Sequence, residues 1–401
     1  MKKAVALGIV LAVAGLAVAG CRDDDDGTSL YVSSRAYKGH EADVDMNNLV
    51  NVYPSLVGTR LDDCQTCHKG GEVSETSKTY TVNPCSYCHL VANPDPDIIS
   101  GAPSTYHDTL NPYGADYMSH GRDRDALEAI HSLDSDGDGY ENGWEIHYVR
   151  YPGDPDSMPG QPSAPTYTMT WTEIASLPFH SQFLLMNAHK QAFDDYARYG
   201  GVKVKDLLSA AGVNLTGATS ITVIAPDGFA KDYTISEIDN AFPYGLYDDG
   251  LAPGDFADPN QGFVNYPPAD QIPSGLADMG TIPDEPWLLI AYRRDGADMD
   301  VSYLDPVSGK ISGEGPYRLI IPQSTPGSPD RGSKYSPTTY ADGYDYDENK
   351  DHNAGKCVKG VAAIRINPMP SGYEEFDWKN GGFSILEDKE LIIYGHGVTG
   401  N

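Results

Sequence analysis

The chain has 401 residues and is strongly acidic, with 58 Asp and Glu against 28 Lys and Arg, for a formal net charge of −30. That balance excludes nucleic-acid binding and docking on anionic lipid, and favours solubility, cation binding and basic redox partners. A hydrophobic share of 40% allows real cores, the length sets a prior of two or three domains, and 42 glycines with 29 prolines imply many turns and short strands.

The N-terminus reads as an export signal. Lys2 and Lys3 precede an uninterrupted apolar run over 4–20, a little short for a membrane span. The run ends in Val18-Ala19-Gly20-Cys21, which resembles the lipobox of bacterial lipoproteins. The resemblance implies a signal peptide over 1–20, acylation of Cys21, and a soluble mature protein anchored to a membrane by lipid. The alternative is an ordinary signal peptide with a chance cysteine. Arg22 and the acidic run Asp23 to Asp26 form a solvated leash within a tether and leader over 21–55. By the sorting rule of enteric lipoproteins, Arg22 in place of Asp favours the outer membrane over the inner.

The next segment, 56–160, carries two copies of C-x-x-C-H: Cys64-Gln65-Thr66-Cys67-His68 and Cys85-Ser86-Tyr87-Cys88-His89. Each is the attachment signature of a c-type haem, with two thiols for the vinyl groups and the histidine as proximal iron ligand. The same cysteines also fit C-x2-C-x17-C-x2-C, a zinc-ribbon spacing, and paired disulfides. Two haems are the preferred reading, because a histidine follows both pairs, the chain reads as exported, and further histidines crowd the neighbourhood. Only 16 residues separate His68 from Cys85, so the two haems are expected to be close neighbours. His107 and His120 are the favoured distal ligands, with His131, His40 and Met118 behind them. Little regular structure is expected before a helix over 122–133, whose Ala126, Leu127, Ala129 and Ile130 fall at helical spacing.

That helix leads into a twelve-residue loop, Asp134 to Glu145, of pattern D-x-D-x-D-G-x-x-N-x-x-E. The spacing predicts a structural calcium held by Asp134, Asp136, Asp138, the Tyr140 carbonyl and Glu145, with Asn142 acting directly or through water. A second helix over 142–149 carries Glu145 in. Glu141 stands where paired EF-hands place an apolar residue, which argues for a single loop.

A Pro/Gly/Ser-rich break over 151–165 marks the boundary to a mostly-β domain, 161–401. The expected elements are a helical stretch over 171–198 interrupted at Pro178, a short helix over 202–211, and strands over 220–225, 233–235, 287–292, 317–321, 362–366 and 390–394. The sixth cysteine, Cys357, is expected to be buried.

Two resemblances follow from these residues. Over 64–160 the chain resembles small haem lipoproteins of metal- and sulfur-respiring bacteria, through C-x-x-C-H, then Leu110-Asn111-Pro112-Tyr113-Gly114, then the acidic loop. Beyond Trp171 it resembles the molybdopterin-binding domain of sulfite-oxidase-like proteins, through 204–208, 225–229 and Gly313-Glu314-Gly315-Pro316 with the strand after it. The whole chain looks like the GEGP-motif diheme proteins. The enzyme pattern places a molybdenum-ligating cysteine before the helix over 202–211, and no cysteine lies between Cys88 and Cys357. The resemblance therefore implies the fold without molybdopterin. The sequence reading is an α+β, multidomain envelope electron carrier with two haems c and one calcium, whose partners are other redox proteins. The alternatives are an oxidoreductase whose C-terminal domain feeds electrons to the haems, and a partner-docking module fused to a cytochrome.

Overall fold

The computed structural model describes residues 43–75, 78–189, 193–249, 264–304, 311–330, 346–347, 349–377 and 382–400. The apolar leader, Cys21 and His40 lie outside the described residues. None of the described helices is long and apolar enough to cross a membrane. The architecture is α+β, with helices and short 3-10 turns predominating as far as His147 and β-sheets beyond.

The first body is built on helix Val44–Val52. Asp43 caps it by accepting from the Asp45 and Met46 N–H groups at 2.8 and 3.1 Å. Met46, Leu49 and Val50 share one face and are buried. That face packs on helix Arg124–Ala129, where Ala126 and Leu127 meet it, and Tyr113 and Tyr117 from helix Pro112–Ser119 complete the core. The expected helix over 122–133 is confined to Arg124–Ala129, because Asp123 caps it and positive φ at Arg122 turns the chain beforehand. The segment expected to be irregular contains an antiparallel hairpin, Gly71–Glu75 with Lys78–Val82, and helix Pro84–Ala92.

The second body has two sheets. One is six-stranded, ordered Ala297–Asp298, Leu289–Arg294, Asp194–Lys203, His180–Met186, with Arg318–Ile320 also on Leu289–Arg294 and Val264–Asn265 on Asp194–Lys203. The other runs Thr166–Met169, Leu391–Gly395, Ala363–Asn367, Ser220–Ile224, Ala230–Thr234, with its second and third strands parallel. Tyr199, Leu289 and Ile290 from the first sheet and Val223, Ile364 and Ile393 from the second belong to one core, with helix Val204–Ala210 covering part of it.

The helical reading of 171–198 is overturned beyond Ser176. Helix Trp171–Ser176 is followed by a strand pair, His180–Met186 against Asp194–Lys203, which also places His180 on a strand. The reason is burial on both faces. Leu184 and Met186 enter the main core while Phe183 and Leu185 enter a separate cluster with Tyr196 and Tyr247, so the strand reads as a continuous apolar run with no alternation.

The two bodies are joined by a small polar junction. The Glu374 carboxylate takes hydrogen bonds from Arg60 and Arg150, and from the Ser157 hydroxyl at 2.9 Å. Tyr151 donates its hydroxyl to Asp377 at 2.6 Å, and its ring lies 4.3 Å beneath the Arg60 guanidinium.

Candidate functional site

The first C-x-x-C-H motif folds as a 3-10 turn, Cys64–Thr66, started by Asp63, whose side chain accepts from the Gln65 N–H at 2.9 Å. The N–H groups of Cys67 and His68 both donate to the Cys64 carbonyl, at 3.1 and 2.9 Å. Asn111 then clamps the turn from outside. Its Nδ2 donates to the carbonyls of Gln65 and Thr66 at 3.1 and 3.0 Å, and its backbone N–H donates to that of Cys67 at 3.0 Å. Its Oδ1 accepts from the Gly114 N–H at 2.8 Å and so caps helix Pro112–Ser119. Gly114 allows that helix to lie directly on the motif, since a Cβ there would sit 2.1 Å from the Cys67 carbonyl oxygen. The L-N-P-Y-G sequence is thus the support of the first C-x-x-C-H turn.

His68 is held in a defined protonation state. Its Nδ1 lies 2.8 Å from the Thr109 hydroxyl, which gives its one proton to the Tyr106 carbonyl at 2.7 Å. The hydroxyl must therefore accept from Nδ1–H, which leaves the lone pair on Nε2. Burial lowers His68 below the ordinary imidazole value and so favours its neutral form, against the opposing pull of Asp43 and Asp45. A neutral imidazole with a bare Nε2 and an outer Nδ1–H bond fits an axial iron ligand. Burial, with Asp45 and Asp43 adding, pushes the Cys67 thiol up to about 12.

The second motif lies on helix Pro84–Ala92, where Cys85, Cys88 and His89 fall at i, i+3 and i+4 and so share a face. The side chain of Cys85 lies outside what the structure describes. Asn83 caps the helix by accepting from the Ser86 N–H at 2.7 Å, and its Nδ2 donates to the Pro226 carbonyl of the second body. Cα atoms of this helix come within 8 Å of both the first-motif turn and the 3-10 turn Tyr106–Thr109. Tyr106–Thr109 therefore contacts one motif and hydrogen-bonds the histidine of the other.

The candidate distal ligands sit in different surroundings. His107 is exposed on Tyr106–Thr109, two residues before Thr109. His120 is exposed at the end of helix Pro112–Ser119, with Nδ1 donating to the Asp116 carbonyl at 2.8 Å. His131 instead stacks on Tyr53 at 5.9 Å between ring centroids and lies over Gly143, on the face of the acidic loop. Met118 is exposed.

The acidic loop brings oxygens of Asp134, Asp136 and Asp138 within 4.8 Å of one another. Positive φ at Gly137 and Gly139 (81° and 100°) makes the bends, and their N–H groups donate to the two Asp134 oxygens at 2.8 and 3.0 Å. Helix Asn142–His147 carries Glu145 in, fully buried. Neither Glu145 oxygen has a hydrogen-bond partner, nor does Asp136 Oδ2 or Asp138 Oδ2. Burial, with Asp136, Asp138 and Asp134 adding, pushes the Glu145 carboxyl up to about 9, and burial with Asp138 pushes Asp136 up to about 6. Such desolvated carboxylates, with no cationic side chain among them, fit a divalent cation. Tyr140 has its side chain exposed and its N–H on Asp138 at 2.8 Å. Asn142 turns inward: its Oδ1 accepts from the Ser135 N–H at 3.2 Å, while Nδ2 donates to the Ile130 carbonyl at 2.7 Å.

In the second body, Glu314 of the GEGP segment is an ion-pair hub. Its Oε1 lies 2.9 Å from Arg294 and 2.8 Å from Arg318, which outweigh burial and hold its carboxyl below the usual range. Cys357 is buried in the main core, with Sγ 3.5 Å from both the Ile321 N–H and the Asn353 carbonyl, and burial pushes its thiol up. Sequence reasoning passed over Thr109 and Glu374. The residue immediately before L-N-P-Y-G was the available signal for Thr109, whereas nothing local marks Glu374. No family model, curated protein or solved structure matches the chain.

Proposed function

We propose that the chain is an electron-transfer protein of the cell envelope, carrying two covalent haems c on Cys64, Cys67 and His68 and on Cys85, Cys88 and His89. The observation that carries the reading is His68, whose half-buried imidazole has its pKa lowered by burial and is oriented by Thr109 so that Nε2 carries the lone pair. Bound haem would supply a one-electron iron centre; the chain's own residues hold its ligands and limit water at the first site. Packing of both motif segments on Tyr106–Thr109 supports a closely spaced pair of haems, with His107 and His120 as the distal candidates. The acidic loop binds calcium through Asp134, Asp136, Asp138 and Glu145, and braces helix Arg124–Ala129. The β-rich body serves as a sulfite-oxidase-like scaffold without molybdenum, consistent with a Cys357 thiol committed inside the core. A lipid on Cys21 anchors the protein, whose redox partners are other envelope proteins.

The deciding experiment is a haem and metal inventory of protein made in cells that mature c-type cytochromes. Two haem additions by intact mass, one lost in Cys64→Ala and the other in Cys85→Ala, support the proposal. Zinc in place of haem, or near-stoichiometric molybdenum, overturns it.

A further inference from the structure

The β-rich body contains a second set of buried oxygen donors. Asn187 ends the strand His180–Met186, Asp194 opens its partner strand, and Asp330 comes in from the segment beyond Arg318–Ile320. All three side chains are enclosed, with residue exposures of 0% for Asn187, 1% for Asp330 and 2% for Asp194. Each carboxylate is half used. Asp194 Oδ1 accepts from the Ala188 N–H at 2.7 Å, and Asp330 Oδ2 accepts from the Asp347 N–H at 2.9 Å and from His352 Nε2 at 3.1 Å. The remaining oxygens, Asp194 Oδ2 and Asp330 Oδ1, and both atoms of the Asn187 amide complete no hydrogen bond of good geometry, although the Asp330 N–H approaches the Asp194 carboxylate and the Asn187 amide approaches that of Asp330.

These groups face one another: Asp330 raises the charge cost at Asp194, and the Asn187 amide is directed at Asp330. Among the described residues, the nearby Lys350 does not neutralise them, because its Nζ donates to the Ser328 and Pro329 carbonyls at 3.1 and 3.0 Å. Leaving several buried polar atoms unsatisfied costs on the order of 1–3 kcal/mol each. Apolar residues of the same size would avoid that cost, so the donors call for a ligand.

We propose that Asp194, Asp330 and Asn187 form a second cation site in this chain, for a hard divalent ion of the calcium, magnesium or manganese class. An all-oxygen donor set selects that class over the softer transition metals. His352 is a positioning residue, holding Asp330 Oδ2 so that Oδ1 faces the ion, and it is itself stacked on Tyr346 at 5.0 Å between ring centroids. The site is independent of the haem motifs and of the acidic loop.

The test titrates the metal-stripped full chain with Mn2+ and counts bound ions by electron paramagnetic resonance. Two ions are expected in the wild type, with Asp330→Asn losing one and Asp134→Asn losing the other. His352→Gln is expected to weaken the second ion by about 10–100-fold while leaving the loop ion unchanged. If Asp330→Asn does not fold, Asn187→Asp replaces it, because an added anionic oxygen must tighten the second ion. A single ion abolished by Asp134→Asn, a second ion that survives Asp330→Asn, or an Asn187→Asp chain with no tighter site overturns the assignment and leaves a buried water or shared proton in its place.

Discussion

Removing calcium at different pH values tests the acidic loop quantitatively through Glu145. Burial and the neighbouring Asp136, Asp138 and Asp134 push this carboxyl from an ordinary 4.5 up to about 9. Without a cation, the folded protein keeps a proton there that the unfolded chain releases above its ordinary value. The raised group therefore stabilises the fold fully below about pH 4.5, and that contribution is lost as pH rises toward 9. Each pH unit in that window costs about 1.4 kcal/mol, which gives a ceiling on the order of 3 kcal/mol by pH 7. Glu145 is enclosed, but Asp134 is exposed and Asp136 and Asp138 are half-buried, so solvent screening of their charges reduces this to roughly 1–2 kcal/mol. For a body of about 100 residues, that corresponds to roughly 5–15 °C in Tm. On the proposed reading, bound calcium would replace the proton and remove the slope.

The assay is thermal melting followed by near-ultraviolet circular dichroism from acid to mildly alkaline pH, once in chelator and once in calcium. Tm is expected to fall with pH in chelator and to stay level in calcium. Glu145→Gln removes the titration, so the metal-free variant should melt above the metal-free wild type at alkaline pH, yet below the wild type in calcium. A metal-free wild type with a flat Tm, or a Gln variant that keeps the wild-type slope, refutes the reasoning.

Three further substitutions probe the supports of the candidate site. Gly114→Ala drives a methyl group into the Cys67 carbonyl, at a cost on the order of 1–3 kcal/mol, and intact mass should show one haem retained instead of two. Thr109→Val strips His68 Nδ1–H of its acceptor and makes Nε2 less basic, so spectroelectrochemistry should show the first haem's potential rising, with Thr109→Ser restoring it. Glu374→Gln leaves Arg60 and Arg150 without their shared carboxylate, at a cost on the order of 3–5 kcal/mol, and should split a single denaturant transition into two.

Chemistry confined to a short window was readable in the sequence; chemistry assembled across the fold was not. The acidic loop is one contiguous segment, and Gly137 and Gly139 carry the positive φ that its glycines imply. L-N-P-Y-G was visible as a motif, but its work was not: Asn111 and Gly114 act on carbonyls more than forty residues earlier. The strand pair from His180 was hidden because burial on both faces removed the alternation that marks a half-buried strand. Glu374 and Asp330 look like ordinary acids in Pro- and Gly-rich segments, and only tertiary contact makes the first a junction and the second a candidate ligand.

A common physical sign links the two proposed cation sites. Asp45, Asp284 and Glu314 meet arginines, whereas Glu145, Asp194 and Asp330 are buried with oxygens that complete no hydrogen bond of good geometry. Exposed carboxylates need no explanation in a protein of net charge −30, because water solvates them. Enclosed ones require hydrogen-bond donors, a proton or a cation. Proton and cation give opposite responses to chelation, since a protonated carboxyl is indifferent to it while a cation-held one is destabilised. The loop and the β-rich body can each be tested on that distinction without reference to haem.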